Sequence, residues 1–94
     1  MKKEFNIEIS GERSLADLAP GERAVVSEVL VEGPVGRRLM DLGLLPQTPV
    51  QALRRSPLGD PTVYALRGYQ LCLREVDAAR VRIHPDPDGG EKRA

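Results

Sequence analysis

Few side chains in this 94-residue chain could bind a metal ion or attack a substrate. Transition metals prefer imidazole, thiolate and thioether ligands, and the chain holds one histidine, one cysteine and two methionines. Cys72 lies in a predicted strand and His84 ends another, so the two could approach each other if the strands close into a barrel. Neither residue needs a ligand to explain its position. We predict no metal site and no bound cofactor.

The residue patterns of an enzyme are also missing from the sequence. His84 is the single histidine that could activate any of the four serines, and no glycine-rich phosphate-binding loop occurs. The paired acids Asp86 and Asp88 lie in the C-terminal region, where no burial could tune their pKa values. We therefore predict that the chain has no catalytic activity of its own.

Arginine is the residue type that could carry out recognition. Residues 34–84 contain eight arginines and four acidic residues, whereas residues 1–33 contain four basic and seven acidic residues. Guanidinium groups bind carboxylates and phosphates through a planar fork of donors. A solvated strand face carrying arginines is the plainer alternative. The predicted partner-binding residues are Arg37, Arg38, Arg54, Arg55 and, as an apolar anchor beside the first pair, Leu45.

The elements that carry these residues are predicted to be mainly β-strands. Eight prolines and nine glycines suit short strands joined by turns better than a helical bundle. Alternating apolar residues predict five strands, at residues 24–30, 50–55, 62–67, 69–74 and 80–84. The alternation slips at Ser27 and Glu28, which predicts a bulge. Five short strands with tight connections favour closure into a small barrel.

In the fourth of these strands, Tyr69, Leu71 and Leu73 are predicted to face inward. A helical turn is expected at residues 14–18, where Ser14 and Asp17 have the spacing of a capping box. A second helical turn is expected at residues 75–79.

One helix is predicted between the first two strands. Pro34 suits its first position, and Val35, Leu39 and Leu42 form one stripe that should face the core. Gly43 should take the left-handed conformation that ends the helix, with the following leucine folding back onto it.

The order of these motifs is similar to the ferrous-iron transport protein A family, FeoA. Residues 14–18 read Ser-Leu-Ala-Asp-Leu, and residues 36–46 read Gly-Arg-Arg-Leu-Met-Asp-Leu-Gly-Leu-Leu-Pro. The match continues in residues 57–61, Pro-Leu-Gly-Asp-Pro, and residues 67–71, Arg-Gly-Tyr-Gln-Leu, and ends near residue 84. Gln47 departs from the pattern, because the family usually has glycine there. If the turn is of type II, Gln47 must take a positive φ.

The resemblance implies an SH3-like barrel at residues 14–84 and a cytoplasmic accessory role in bacterial ferrous-iron uptake. The implied partner is FeoB, a membrane permease whose cytoplasmic GTP-binding domain the protein would bind and modulate. Residues 1–13 form an N-terminal extension. Its alternating Phe5, Ile7 and Ile9 predict an extra strand that pairs within the chain or with a second copy. Residues 85–94 read as a disordered tail.

Two other functions stay open at this point. A transition-metal sensor or chaperone would need His84 as a ligand. A nucleic-acid-binding barrel is disfavoured by the zero net charge and by only three aromatic residues. No apolar run approaches the ~20 residues that cross a bilayer, and no signal peptide is present, so a cytoplasmic protein without membrane insertion is expected.

Overall fold

The computed structural model describes residues 13–86. The predicted N-terminal strand, the homodimer it would form and most of the predicted tail lie outside these residues. The elements, in chain order, are β1 (Arg13–Ser14), a 3-10 helix (Leu15–Asp17), β2 (Arg23–Val29), α1 (Gly33–Asp41), β3 (Pro49–Arg55), β4 (Thr62–Leu66), β5 (Tyr69–Leu73), α2 (Glu75–Ala78) and β6 (Val81–Pro85).

Within residues 13–86 the strands form one sheet with the order β1-β6-β2-β3-β4-β5. Every neighbouring pair in this order is antiparallel. The mainly β fold class is confirmed, and each of the five predicted strands lies within one residue of its observed bounds. The two-residue β1 is the additional strand. β6 continues through Pro85, one residue past the expected domain boundary.

Two irregularities bend the sheet, and one tight hairpin extends it. The register of β2 against β6 shifts between Val26 and Glu28, which confirms the predicted bulge. A second shift occurs in β3 between Ala52 and Arg54, opposite β4. The hairpin from β4 to β5 turns through Arg67 and Gly68, with φ values of 49° and 87°. Two consecutive positive φ values are typical of the type I′ turn that matches the twist of paired strands.

The core is closed at one end by the 3-10 helix. Leu15 and Leu18 are completely buried, and the hydroxyl of the buried Tyr64 donates a hydrogen bond to the Leu15 carbonyl at 3.1 Å. The helix begins as predicted: the Ser14 N–H donates to a carboxylate oxygen of Asp17 at 2.9 Å, which satisfies an amide that the helix itself cannot. The 3-residue helix and the residue that ends it, Leu18, thus contribute two of the best-buried side chains in the described part of the chain.

Helix α1 is attached to the sheet through a narrow contact. Only Gly36 and Leu39 are buried among its own residues. The predicted stripe is wrong at Val35, which is 49% exposed, and Leu42 is half-buried. The helix instead packs closely against the loop that precedes it. At Gly36 a side chain would overlap the carbonyl oxygen of Val31 in that loop. Among the described residues no helix is both long enough and apolar enough to cross a membrane.

Candidate interaction surface

The outer side of α1 combines two arginines with several apolar side chains. Arg37 and Arg38 are exposed and line one shallow groove together with Pro34, Asp41 and Leu42. Val35 and Met40 flank the buried edge of the helix and are 49% and 40% exposed. Because α1 has nine residues, Arg38 already lies in its last turn, where a cation interacts favourably with the helix dipole.

The end of α1 is a Schellman motif, as predicted. The N–H of Leu44 donates to the Leu39 carbonyl at 3.0 Å, and the N–H of Gly43 donates to the Met40 carbonyl at 2.9 Å. Gly43 has φ of 105°, and Leu44 is completely buried. Leu44 therefore anchors the helix end in the core, which leaves the next residue, Leu45, outside.

A type II turn at residues 45–48 presents Leu45 to solvent. The N–H of Thr48 donates to the Leu45 carbonyl at 3.1 Å, and Gln47 has φ of 76°, which confirms the positive φ predicted for Gln47 in a type II turn. The Gln47 N–H donates to the carbonyl of Val26 in β2 at 2.7 Å, and the Thr48 hydroxyl donates to the Gly43 carbonyl at 3.2 Å. These bonds fix the turn on the sheet, with Leu45 41% exposed.

The β4–β5 hairpin packs against the end of α1 and extends this surface. A Cβ placed on Gly43 would lie 2.8 Å from Cδ of Arg67 and 3.2 Å from the hydroxyl of Tyr69. Tyr69 is predicted to face the core, but it is 37% exposed, and its hydroxyl lies beside the end of α1. No local pattern of residues indicates this contact.

The structure divides the predicted contact residues into two groups. Arg37, Arg38 and Leu45 belong to α1 and the turn that follows it, and with Val35 and Met40 they form what we name the helix–turn surface. The other two lie at the far end of β3: Arg54 is exposed, with one guanidinium nitrogen 3.4 Å from the side-chain oxygen of Gln70. Seven extended residues separate the two ends of β3 by roughly 20 Å.

Arg55 is engaged within the fold. One guanidinium nitrogen donates to the Leu18 carbonyl at 2.7 Å, and Nε donates to the Thr62 hydroxyl at 3.1 Å. A guanidinium holding a backbone carbonyl of the core has fewer donors left for an acidic partner. Its geometry assigns it a role in positioning the 3-10 segment against the sheet.

Cys72 and His84 lie on strands that are not neighbours in the sheet. β5 is an outer strand, whereas β6 lies between β1 and β2 at the other side of the sheet order. Within residues 13–86, no group of three or more histidine, cysteine, aspartate or glutamate side chains is placed to hold a metal ion.

The resolved pKa shifts lie away from the helix–turn surface. The Arg13 guanidinium donates to the Glu22 carboxylate at 3.1 Å, and this hydrogen bond, with another from the Ala19 N–H, lowers the pKa of Glu22. The same hydrogen bond raises the pKa of Arg13. Burial raises the pKa of Tyr64, whose hydroxyl points into the core. Arg13, Glu22 and Tyr64 therefore take part in the packing and hydrogen bonding of the fold, outside the helix–turn surface.

Comparison with known proteins identifies the same region of the chain. The family model described as the FeoA domain matches residues 13–85. A fusion protein of Porphyromonas gingivalis, described as Fe(2+) transport protein A joined to the Fe(2+) transporter FeoB, is 29% identical over 69 residues. That match covers 73% of this chain and 8% of the fusion protein, so this chain corresponds to a small part of that relative.

Two solved structures have the same fold. The solution structure of FeoA from Chlorobium tepidum is 40% identical, with a TM-score of 0.75 over 82% of this chain and 74% of that one. FeoA from Stenotrophomonas maltophilia, solved with zinc and described as a prokaryotic SH3 domain protein, is 27% identical. Its TM-score is 0.67 over 74% of this chain and 87% of that one. The bent six-stranded sheet is thus an SH3-like fold.

Proposed function

Because this chain belongs to the FeoA family, which is associated with ferrous-iron transport, we propose that it is an accessory protein of ferrous-iron uptake. In this proposal it acts in the cytoplasm, binds the cytoplasmic GTP-binding part of a FeoB-type permease and modulates that permease without catalysing a reaction itself. The membrane crossing and the nucleotide chemistry belong to the partner.

The fusion relative is the observation that carries this proposal. In Porphyromonas gingivalis a FeoA-like segment and a FeoB transporter form one polypeptide. Joining two domains by a linker raises their effective concentration to the millimolar range, so a fusion favours domains that contact one another. Separate chains need an interface of their own to achieve the same association.

The helix–turn surface has the chemistry of such an interface. Arg37 and Arg38 offer donor forks to carboxylates of the partner, and Met40 and Leu45 offer apolar area that is 40% and 41% exposed. The Schellman motif and the hydrogen-bonded turn hold Leu45 in place before binding, which limits the entropy lost on association.

The proposal is tested by isothermal titration calorimetry of the full chain against the purified cytoplasmic domain of the cognate permease. We expect a measurable complex that Leu45→Ser weakens about ten-fold, since truncating a central interface anchor costs more than 1 kcal/mol. Arg37→Ala combined with Arg38→Ala should weaken it by a similar factor, whereas lysine at both positions should retain part of the affinity because the charge is kept.

Leu58→Ser is the matched control. Leu58 is 93% exposed and lies in the loop that follows β3, at the end of the strand remote from Leu45. The same substitution there should leave the affinity unchanged. Absence of any complex at high micromolar concentrations contradicts the proposed function. Equal losses from the substitutions at positions 45 and 58 would contradict the assignment of the surface.

A further inference from the structure

One row of side chains on β5 changes from buried to exposed along the strand. Tyr69 lies directly opposite Leu66, which is buried in the core. Directly opposite residues of paired strands project to the same face of the sheet, so Tyr69 begins on the core side. In the same row Leu73 is buried, Leu71 is half-buried and Tyr69 is 37% exposed. The inner face of β5 is therefore covered at its far end and uncovered next to the hairpin turn.

The end of α1 borders this uncovered part. The hydroxyl of Tyr69 would lie 3.2 Å from a Cβ placed on Gly43. Leu42, which directly precedes Gly43, is half-buried, and Leu45 follows two residues later with 41% exposure. Two peptide units span at most about 7.6 Å between Cα atoms, so Leu45 and Tyr69 border the same stretch of backbone. The end of α1 thus has an exposed side chain with a large apolar part beside it from each of two elements, the turn and β5.

Tyr69 is held in place although it is exposed. Its strand pairs with β4 from Thr62↔Leu73 to Leu66↔Tyr69 without a register shift. Among residues 13–86 its hydroxyl has no hydrogen-bond partner. Tyrosine is enriched among the residues that dominate protein interfaces, because it combines a large apolar ring of few rotatable bonds with a polar tip. Tyr69 offers both parts to a partner.

We propose that Tyr69 is a contact residue of the same interface as Leu45, so that the partner domain lies across the junction between the end of α1 and the β4–β5 hairpin. This inference rests on the proposed function, and it extends the contact surface from one segment of the chain to two. An apolar side chain of the partner would cover the Tyr69 ring and the exposed part of Leu45. A carbonyl or carboxylate oxygen of the partner would accept a hydrogen bond from the Tyr69 hydroxyl.

The alternative position for the partner lies along the first half of α1. Val35 is 49% exposed there, more than Met40 or Leu45. It lies six residues before the last residue of the helix, Asp41, or about 9 Å along the helix axis. Valine is under-represented among residues that dominate binding, and α1 contains no aromatic residue. The end of the helix, where Tyr69 and Leu45 lie, is therefore the better centre for an interface.

The test measures the affinity of the full chain for the purified cytoplasmic domain of the cognate permease by isothermal titration calorimetry. We expect Tyr69→Ala to weaken binding about ten-fold and Tyr69→Phe about three-fold, because phenylalanine keeps the ring and loses only the hydroxyl. Val35→Ser should weaken binding by less than about two-fold. Gln70→Ala is the matched control, because Gln70 is exposed on the other face of the same strand. It should leave the affinity unchanged.

A second measurement uses the wild-type chain and does not depend on the stability of a variant. In the ¹⁵N-labelled chain, the partner should shift the amide signals of residues 67–69 together with those of residues 43–45, and those of residues 33–36 less. An affinity unchanged by Tyr69→Ala, or shifts confined to α1, would overturn this inference and leave the proposed function standing. A greater loss from Val35→Ser than from Tyr69→Ala would also overturn it. Absence of any complex would overturn both.

Discussion

The 3-10 helix and α1 are the two helical segments that interrupt the first half of the sheet, and they differ in how much of their surface is buried. In the 3-10 segment, Leu15 and Leu18 are fully buried, and their carbonyls accept hydrogen bonds from Tyr64 and Arg55. In α1 the burial is limited to Gly36 and Leu39, and most of the surface faces solvent. The shorter segment therefore contributes mainly to stability. The longer one is held by a few contacts, and most of its side chains remain accessible for binding.

This difference predicts that substitutions in the two segments will separate stability from binding. The largest effect is expected for Leu15→Ala, which removes three carbon atoms from the centre of the core. A cost of about 2–5 kcal/mol in the free energy of unfolding is typical of such truncations. Urea denaturation should show it, while Leu58→Ala, at a 93% exposed position, should change stability by less than about 0.5 kcal/mol. Equal costs at the two positions would contradict the burial described here.

Gly36→Ala probes the narrow attachment of α1. Its methyl group would overlap the carbonyl oxygen of Val31 in the loop before the helix, so the helix and this loop must move apart, at a cost of about 1–3 kcal/mol. Gly33→Ala is the control, because Gly33 has φ of 73° and open space around it. It carries conformational strain of about 1 kcal/mol without a collision. Chemical shifts of residues 33–41 should move in the Gly36 variant well beyond the changes in the control.

Gln47→Gly should have a smaller effect of opposite sign. A residue other than glycine at φ of 76° stores strain, which glycine would relieve. After the greater entropy of glycine in the unfolded chain is subtracted, we expect a gain of about 0.5–1 kcal/mol in the free energy of unfolding. Gln47→Ala keeps the strain and should bring no gain. A loss of stability in the glycine variant would mean that the Gln47 side chain makes a contact that outweighs the strain.

The smallest effect concerns pH and the region beside the 3-10 helix. Glu22 has a pKa below its ordinary value of 4.5 because Arg13 donates a hydrogen bond to it. A lowered folded-state pKa contributes stability above the ordinary value, and that stability is lost as the pH falls below it. The side chains are 46% and 38% exposed, so the contribution is a few tenths of a kcal/mol. The difference in urea midpoint between the wild type and Glu22→Gln should therefore shrink between about pH 6 and pH 3.5. A constant difference would contradict this origin.

Much of the fold could be predicted because its turns are encoded locally. Proline and glycine end the strands, and the bulge near Ser27 and the positive φ of Gln47 both followed from patterns a few residues long. The face of α1 could not be predicted in this way. The stripe containing Val35 is as apolar as the face of the helix that is buried. Which face is buried depends on the close approach of the helix backbone to Val31, and the only sign of this contact in the sequence is a glycine.

Part of the candidate site could also be predicted from local patterns in the sequence. Arg37, Arg38 and Leu45 are exposed on one continuous segment, so local patterns could group them. Arg55 shares their residue type, but one of its guanidinium nitrogens donates to the carbonyl of Leu18, 37 residues away in the chain. Long-range partners of this kind leave no periodic signal. Tyr69 was misjudged similarly, because its position is decided by the end of a helix that precedes it by more than twenty residues.

The pairing of β1 with β6 has a consequence for how such a domain can be built into larger proteins. Arg13 lies opposite Ile83, so the chain enters and leaves the described fold at neighbouring points on one side of the sheet. A domain with adjacent ends can be inserted into a loop of another protein, or attached to either of its termini, with little disturbance of its own packing. Such a domain can therefore occur in proteins of different architecture. The same arrangement permits a circular permutant, in which a short linker joins residues 86 and 13 and the new termini lie in the exposed loop at Leu58.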